Sequence, residues 1–156
     1  KVMMLKNVQF MPRFHAEVII PRSNTAMISI SGPNNPAQLN QLWHRGNLLR
    51  LQFHDADEGG PVSRPLGSEP GLHNIQLFSK RDAKNIIDFV NEVKNKVELI
   101  IVHCDAGISR SAAVAKFIAE MFNLPFPESY MLYNKYVYRV LRNTYNNMMW
   151  RENYEP

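Results

Sequence analysis

The single cysteine of this 156-residue chain, Cys104, stands six residues before Arg110, and Ser111 follows directly. Between them lie Asp105, Ala106, Gly107, Ile108 and Ser109. An unbroken apolar run, Leu99-Ile100-Ile101-Val102, leads through His103 into the cysteine, and a segment that is apolar almost all round leads away from Ser111 to Phe122. Strand, short loop and helix N-terminus in that order make an anion cradle. The first backbone N–H groups of a helix have no internal partner, and the macrodipole adds partial positive charge there. Gly107 permits the backbone angles that a wrapped loop needs. Successive N–H groups from Asp105 to Arg110 can form a nest, and Arg110 can clamp two oxygens of one phosphate. The same field favours the thiolate form of a cysteine, and a thiolate beneath a bound phosphate can attack phosphorus in line. Ser111 can donate a hydrogen bond to the sulfur and help it leave in a second step. A lone buried cysteine at a strand end is common. The apolar strand, the central glycine, the arginine, the serine and the apolar helix together set this one apart.

The elements around that loop are read from periodicity. The buried strand Glu98–His103 is apolar on both sides, as suits a strand covered on both faces. Ser79 with Asp82 forms a capping box ahead of an amphipathic helix over residues 80–94, in which Ala83, Ile86, Ile87, Val90 and Val93 share one face. The helix after Arg110 should end at Asn123 in a left-handed cap, with Pro125 blocking continuation. Residues 128–149 carry apolar and aromatic side chains at helical spacing, as one long helix or two, followed by a polar, frayed tail. Earlier in the chain, Val2–Val8 and Ala16–Ile20 read as edge strands or a hairpin, and Thr25–Ser31 as a central strand. Residues 37–45 read as one or two helical turns with Leu39, Leu42 and Trp43 inward. Asn47–Asp55 is the next strand, and its end carries Asp55, Asp57 and Glu58. The Gly-, Pro- and Ser-rich stretch 59–74 is expected to be one long loop over a site.

Composition sets bounds. Apolar residues make up 45% and charged residues 21%, which fits one soluble domain over residues 1–156. No apolar run is long enough for a membrane helix, and Lys1-Val2-Met3-Met4 lacks the apolar core of a signal peptide. One cysteine cannot form an internal disulfide, so a reducing, cytoplasmic setting is expected. The net charge of +4 comes without a basic block, so nucleic acid is not the expected partner. The histidines His15, His44, His54, His73 and His103 are scattered, so no metal site and no cofactor is expected.

The run His103-Cys104-Asp105-Ala106-Gly107-Ile108-Ser109-Arg110-Ser111 resembles the His-Cys-x5-Arg-Ser/Thr signature of the cysteine-dependent protein tyrosine phosphatases. The compact size and the late cysteine resemble the dual-specificity branch. The resemblance implies an α/β domain with a mixed, mainly parallel sheet and helices on both faces. It also implies Cys104 as nucleophile, Arg110 as phosphate clamp, Ser111 as an aid to breakdown of a phosphocysteine, and His103 as support. In that family an upstream aspartate at the end of a neighbouring strand protonates the leaving oxygen, a place that Asp55 matches, with Asp57 as the alternative. Asp55 lies 49 residues before Cys104, an unusually long interval for small members of the branch. Glu58 and Glu69 are weaker candidates for the acid. Asp105 is expected to face outward and shape specificity, while Arg64 and Arg81 read as surface charge able to assist an anionic substrate. The expected partner is a phosphorylated protein carrying phosphotyrosine, phosphoserine or phosphothreonine. The alternatives are a non-protein phosphate monoester (a phosphoinositide, a sugar phosphate or an RNA 5′ phosphate) and a phosphate-binding module without catalysis.

Overall fold

A computed structural model of the chain describes residues 3–61 and 75–154. Four strands form one sheet in the order β1-β6-β2-β3: β1 (Asn7–Pro12), β2 (Thr25–Ser31), β3 (Leu48–Gln52) and β6 (Leu99–Cys104). All three pairings in it are parallel, with Pro12 opposite Cys104 and Ser29 opposite His103. Two short strands, β4 (Ala56–Asp57) and β5 (Gly60–Pro61), form a separate antiparallel pair. The helices are α1 (Arg13–Glu17), α2 (Lys80–Val93), α3 (Arg110–Phe122) and α4 (Lys135–Tyr154). Among the described residues none is long and apolar enough to cross a membrane.

Alternate residues of the inner strands face opposite ways, and two apolar clusters result. Ala26, Ile28 and Ile30 of β2 with Ile100 and Val102 of β6 pack under α2, α3 and α4, against Ile86, Val90, Val114, Phe117 and Leu141. On the other face Met27 and Ile101 meet Ala16 of α1 and Trp43. Burial of β6 on both faces explains its unbroken apolar run. Burying a side chain such as Phe117 or Ile118, both fully enclosed, contributes about 1.5–3 kcal/mol. The capping box is present: Ser79 Oγ accepts the Asp82 N–H and the Asp82 carboxylate accepts the Ser79 N–H, each at 3.0 Å. α3 ends at Asn123 with φ 53°, in the left-handed region.

The early chain departs from expectation. The strand near the N-terminus begins only at Asn7 and runs to Pro12, at the sheet edge. Ala16–Ile20 is no strand, because Arg13–Glu17 is helical with Ala16 buried. An i,i+4 ion pair, Arg13 Nε to Glu17 Oε2 at 3.2 Å, favours that turn. Residues 37–44 are irregular, and a short 3-10 helix occupies Arg45–Asn47. The reason is long-range. The Arg13 guanidinium donates to the carbonyls of Asn35 and Pro36 at 2.7 Å, and Glu17 accepts the Gln38 N–H at 2.6 Å. Side chains thus take backbone groups of residues 35–38, with Arg50 Nη1 also donating to the Ala37 carbonyl at 3.0 Å, in place of helical bonds. Trp43 is buried, but Leu42 is 76% exposed rather than inward. β3 stops at Gln52, short of Asp55. The last helix is single, starting at Lys135 and continuing past Trp150 to Tyr154. Most of the long loop expected at 59–74, including Arg64, Glu69 and His73, lies outside the described residues.

Candidate active site

β6 delivers Cys104 to the C-terminal edge of the sheet, where the thiol is buried and Sγ lies 3.1 Å from Ser111 Oγ. Residues 105–109 then wrap back, and Arg110 opens α3. Gly107 makes this wrap possible. Its φ is +70°, and a Cβ there would stand 2.2 Å from the backbone nitrogen of Pro12, so β1 closes on the loop more tightly than any side chain permits. The backbone N–H of Arg13 donates to the Asp105 carbonyl at 3.2 Å, fixing the loop to the start of α1.

Ser109 holds the N-cap position of α3, yet its side chain makes no cap bond. Its hydroxyl donates instead to Asp55 Oδ1 at 2.7 Å. The amides of the first turn of α3 are thereby left without a side-chain acceptor, as an anion site requires. Arg110 is buried in the floor. Its Nη1 donates to the Phe53 carbonyl at 2.8 Å and its Nη2 to Asp105 Oδ2 at 3.1 Å. Its Nε–H is buried with no partner among the described residues. A buried guanidinium donor left open costs free energy until an acceptor arrives, and a phosphate oxygen is an acceptor of the right charge. Asp105 is half-exposed and bridges two cations, Arg110 at 3.1 Å and Arg13 at 3.6 Å. It therefore holds the Arg110 guanidinium in orientation as well as facing outward.

The structure brings Asp55 to this loop from across the sheet. Besides Ser109, the Asn134 side-chain amide donates to Asp55 Oδ1 at 2.8 Å. Asp57 is not brought in: it is exposed and its Oδ1 accepts the Gly59 N–H at 2.8 Å, a local turn. Glu58 is exposed and pairs with Arg139. Arg81 sits in the first turn of α2 and lines a cleft against α4, not the loop. Pairing of His54 with Gln76, N–H to carbonyl at 2.8 Å and Gln76 N–H to His54 Nδ1 at 2.8 Å, fixes the chain immediately before Asp55.

His103 is fully buried under the loop. Its Nδ1 lies 3.3 Å from the Cys104 carbonyl, which can only accept, so Nδ1 carries the proton and Nε2 accepts from Ser29 Oγ at 2.6 Å. Burial holds its pKa below the ordinary 6.5, so the ring is neutral at neutral pH. Sequence reasoning missed Arg13, Ser29, Tyr130 and Asn134. Asn134 is buried, caps α4 by accepting the Val137 N–H at 3.0 Å, and takes the Ser109 carbonyl on its own N–H at 3.0 Å. An asparagine ahead of a periodic segment is a cap signal, but nothing local announces its bond to Asp55. Tyr130 donates to the Ile108 carbonyl at 2.5 Å, and burial followed by the charge of Cys104 raises its pKa. Among the described residues no three His, Cys, Asp or Glu side chains gather as a metal site would require.

A parallel sheet that aims a cysteine into an arginine-floored loop at a helix N-terminus defines a class of phosphate-handling domain. Residues 75–153, about half of the chain, match the family described as the dual specificity phosphatase catalytic domain, and the chain belongs to that family. Among relatives, "Protein phosphatase Slingshot homolog 1" of Mus musculus is 29% identical over 99 residues, covering 56% of this chain and 10% of the relative. The Homo sapiens protein of the same name matches equally, with 9% of its length covered. The chain thus spans about a tenth of the length of these relatives.

Proposed function

We propose that residues 1–156 act as one catalytic domain that hydrolyses phosphate monoesters on proteins through a phosphocysteine, in a reducing, cytoplasmic setting. Phosphotyrosine is the primary substrate, with phosphoserine and phosphothreonine sharing the loop. The observation that carries this reading is the meeting of Asp55 with the cysteine loop, through the 2.7 Å bond to Ser109. Phosphate rests over the open amides of α3, with Arg110 taking its oxygens. The Cys104 thiolate attacks phosphorus as the bond to the leaving oxygen breaks, and protonated Asp55 gives that oxygen its proton. In the second step Asp55 takes a proton from water, the water oxygen bonds to phosphorus, and the S–P bond breaks while Ser111 donates to the departing sulfur. The names of the relatives, protein phosphatases, support a protein substrate over a free phosphate ester.

The test is a panel of an aryl phosphate, phosphotyrosine and phosphothreonine peptides and a phosphoinositide, run on wild type, Cys104→Ser, Asp55→Ala and Asp57→Ala. Cys104→Ser should be inactive, Asp55→Ala should lose on the order of 10²-fold in kcat, and Asp57→Ala should keep wild-type turnover. Turnover of the phosphoinositide far above that of the peptides would replace the protein-directed reading with a lipid-directed one.

A further inference from the structure

A cleft lined with cations lies between α2 and α4, away from the cysteine loop. A cleft of about 550 Å³ separates the N-terminal turns of α2 from the C-terminal half of α4. That volume falls in the range of small-molecule pockets. Lys80, Arg81 and Lys84 come from α2, and Arg151 faces them from α4. Lys80 and Lys84 are one helical turn apart and so share a face. None of these four cations makes an ion pair with a described residue. A single carboxylate, Glu152, stands among the described lining residues. One further feature favours an anion. The cleft adjoins the positive end of the α2 dipole, where the N–H groups of Lys80 and Arg81 have no intrahelical acceptor. Four cations around one cleft, with a single carboxylate among them, repel one another, and a bound polyanion relieves that repulsion.

We propose that this cleft binds a compact ligand carrying two or more phosphate groups. Cations on both walls of one depression fit a small, dense anion. An extended acidic peptide would instead need positive charge spread along its length. Arg151 and Arg81 can each take two phosphate oxygens, and the lysines serve as point charges. Met148 supplies an apolar surface for the ligand's carbon frame. The shared chemistry, clustered phosphates on a small ring, occurs both in free inositol polyphosphates and in phosphoinositide headgroups.

Titration calorimetry with inositol hexakisphosphate tests the site on the Arg110→Ala protein, in which the cysteine loop has lost its clamp. One equivalent should bind. Adding Lys84→Gln and Arg151→Gln, both at exposed positions, should weaken binding at least tenfold. The same pair in an otherwise wild-type chain should keep aryl phosphate turnover within about twofold, which also shows that the variant folds. Sedimentation with phosphatidylcholine vesicles containing phosphatidylinositol bisphosphate separates the sources. Co-sedimentation that the double variant abolishes assigns the headgroup, and soluble binding without co-sedimentation assigns the free ligand. Loss of binding on Arg110→Ala alone, no effect of the double variant, or equally tight binding of a polyglutamate peptide would overturn the proposal.

Discussion

Ser109 and Gly107 show how far single residues decide this site. Ser109 has the side chain of a helix cap, but its hydroxyl goes to Asp55, so one bond both opens the α3 amides and locates a carboxylate. Gly107 has no side chain because Pro12 occupies the place where one would stand. Gly107→Ala therefore incurs the left-handed backbone cost of roughly 1–2 kcal/mol together with a backbone collision. The expected outcome is a lowered Tm and loss of aryl phosphate turnover. A variant with wild-type Tm and kcat would show that the loop tolerates what its geometry forbids. The placement of Cys104, Gly107 and Arg110 in one strand-to-helix loop was legible in the sequence because they lie within seven consecutive residues, from Cys104 to Arg110. Arg13 and Ser29 were not legible, since each reaches the loop through a contact between distant segments, as in the Ser29–His103 bond at 2.6 Å.

At the scale of elements, the first residues of α4 join what the sheet keeps apart. Asn134 bonds Asp55 and the Ala56 carbonyl with its amide nitrogen, the Ser109 carbonyl with its backbone N–H, and the start of α4 with its amide oxygen. Asn134→Ala leaves Asp55 with one donor fewer and α4 uncapped. Stability should fall by about 1–3 kcal/mol, read by urea unfolding, and kcat should fall with it. Asn134→Asp keeps the cap oxygen but sets a carboxylate against Asp55, so it should recover stability only in part and recover no turnover. If kcat were unchanged in both variants, Asp55 would not depend on α4 for its place. Elements whose signal is local were read correctly from sequence: α2 with its capping box, α3 with its left-handed stop, β2 with its alternating strand formers and β6 with its apolar run. The segments 16–20 and 37–44 were misread because Arg13 and Glu17 settle both, by bonding backbone groups more than 20 residues away. No local periodicity encodes such bonds.

For the molecule as a whole, the loop rests on a buried neutral imidazole, and that support is pH-dependent. The unfolded chain takes up a proton near the ordinary 6.5, whereas burial holds the folded His103 below that value. The unfolded state then binds more protons, so the contribution of His103 is whole above 6.5 and is lost as pH falls through the folded value. Glu17, held below its ordinary 4.5 chiefly by the Gln38 N–H, acts in a separate and lower window. Between about pH 7 and pH 5, Tm should fall less steeply in His103→Gln than in wild type. Equal slopes would show that the histidine does not titrate against folding. All of these supports converge on one chemical claim, that the Cys104 sulfur takes the phosphoryl group. Rapid acid quench of Ser111→Ala during turnover of an aryl phosphate, followed by peptide mass spectrometry, tests it directly. A phosphate adduct should appear on the peptide containing Cys104, at higher occupancy than in wild type, and be absent from Cys104→Ser. Turnover by Cys104→Ser, or steady hydrolysis with the Cys104 peptide unmodified throughout, would contradict it.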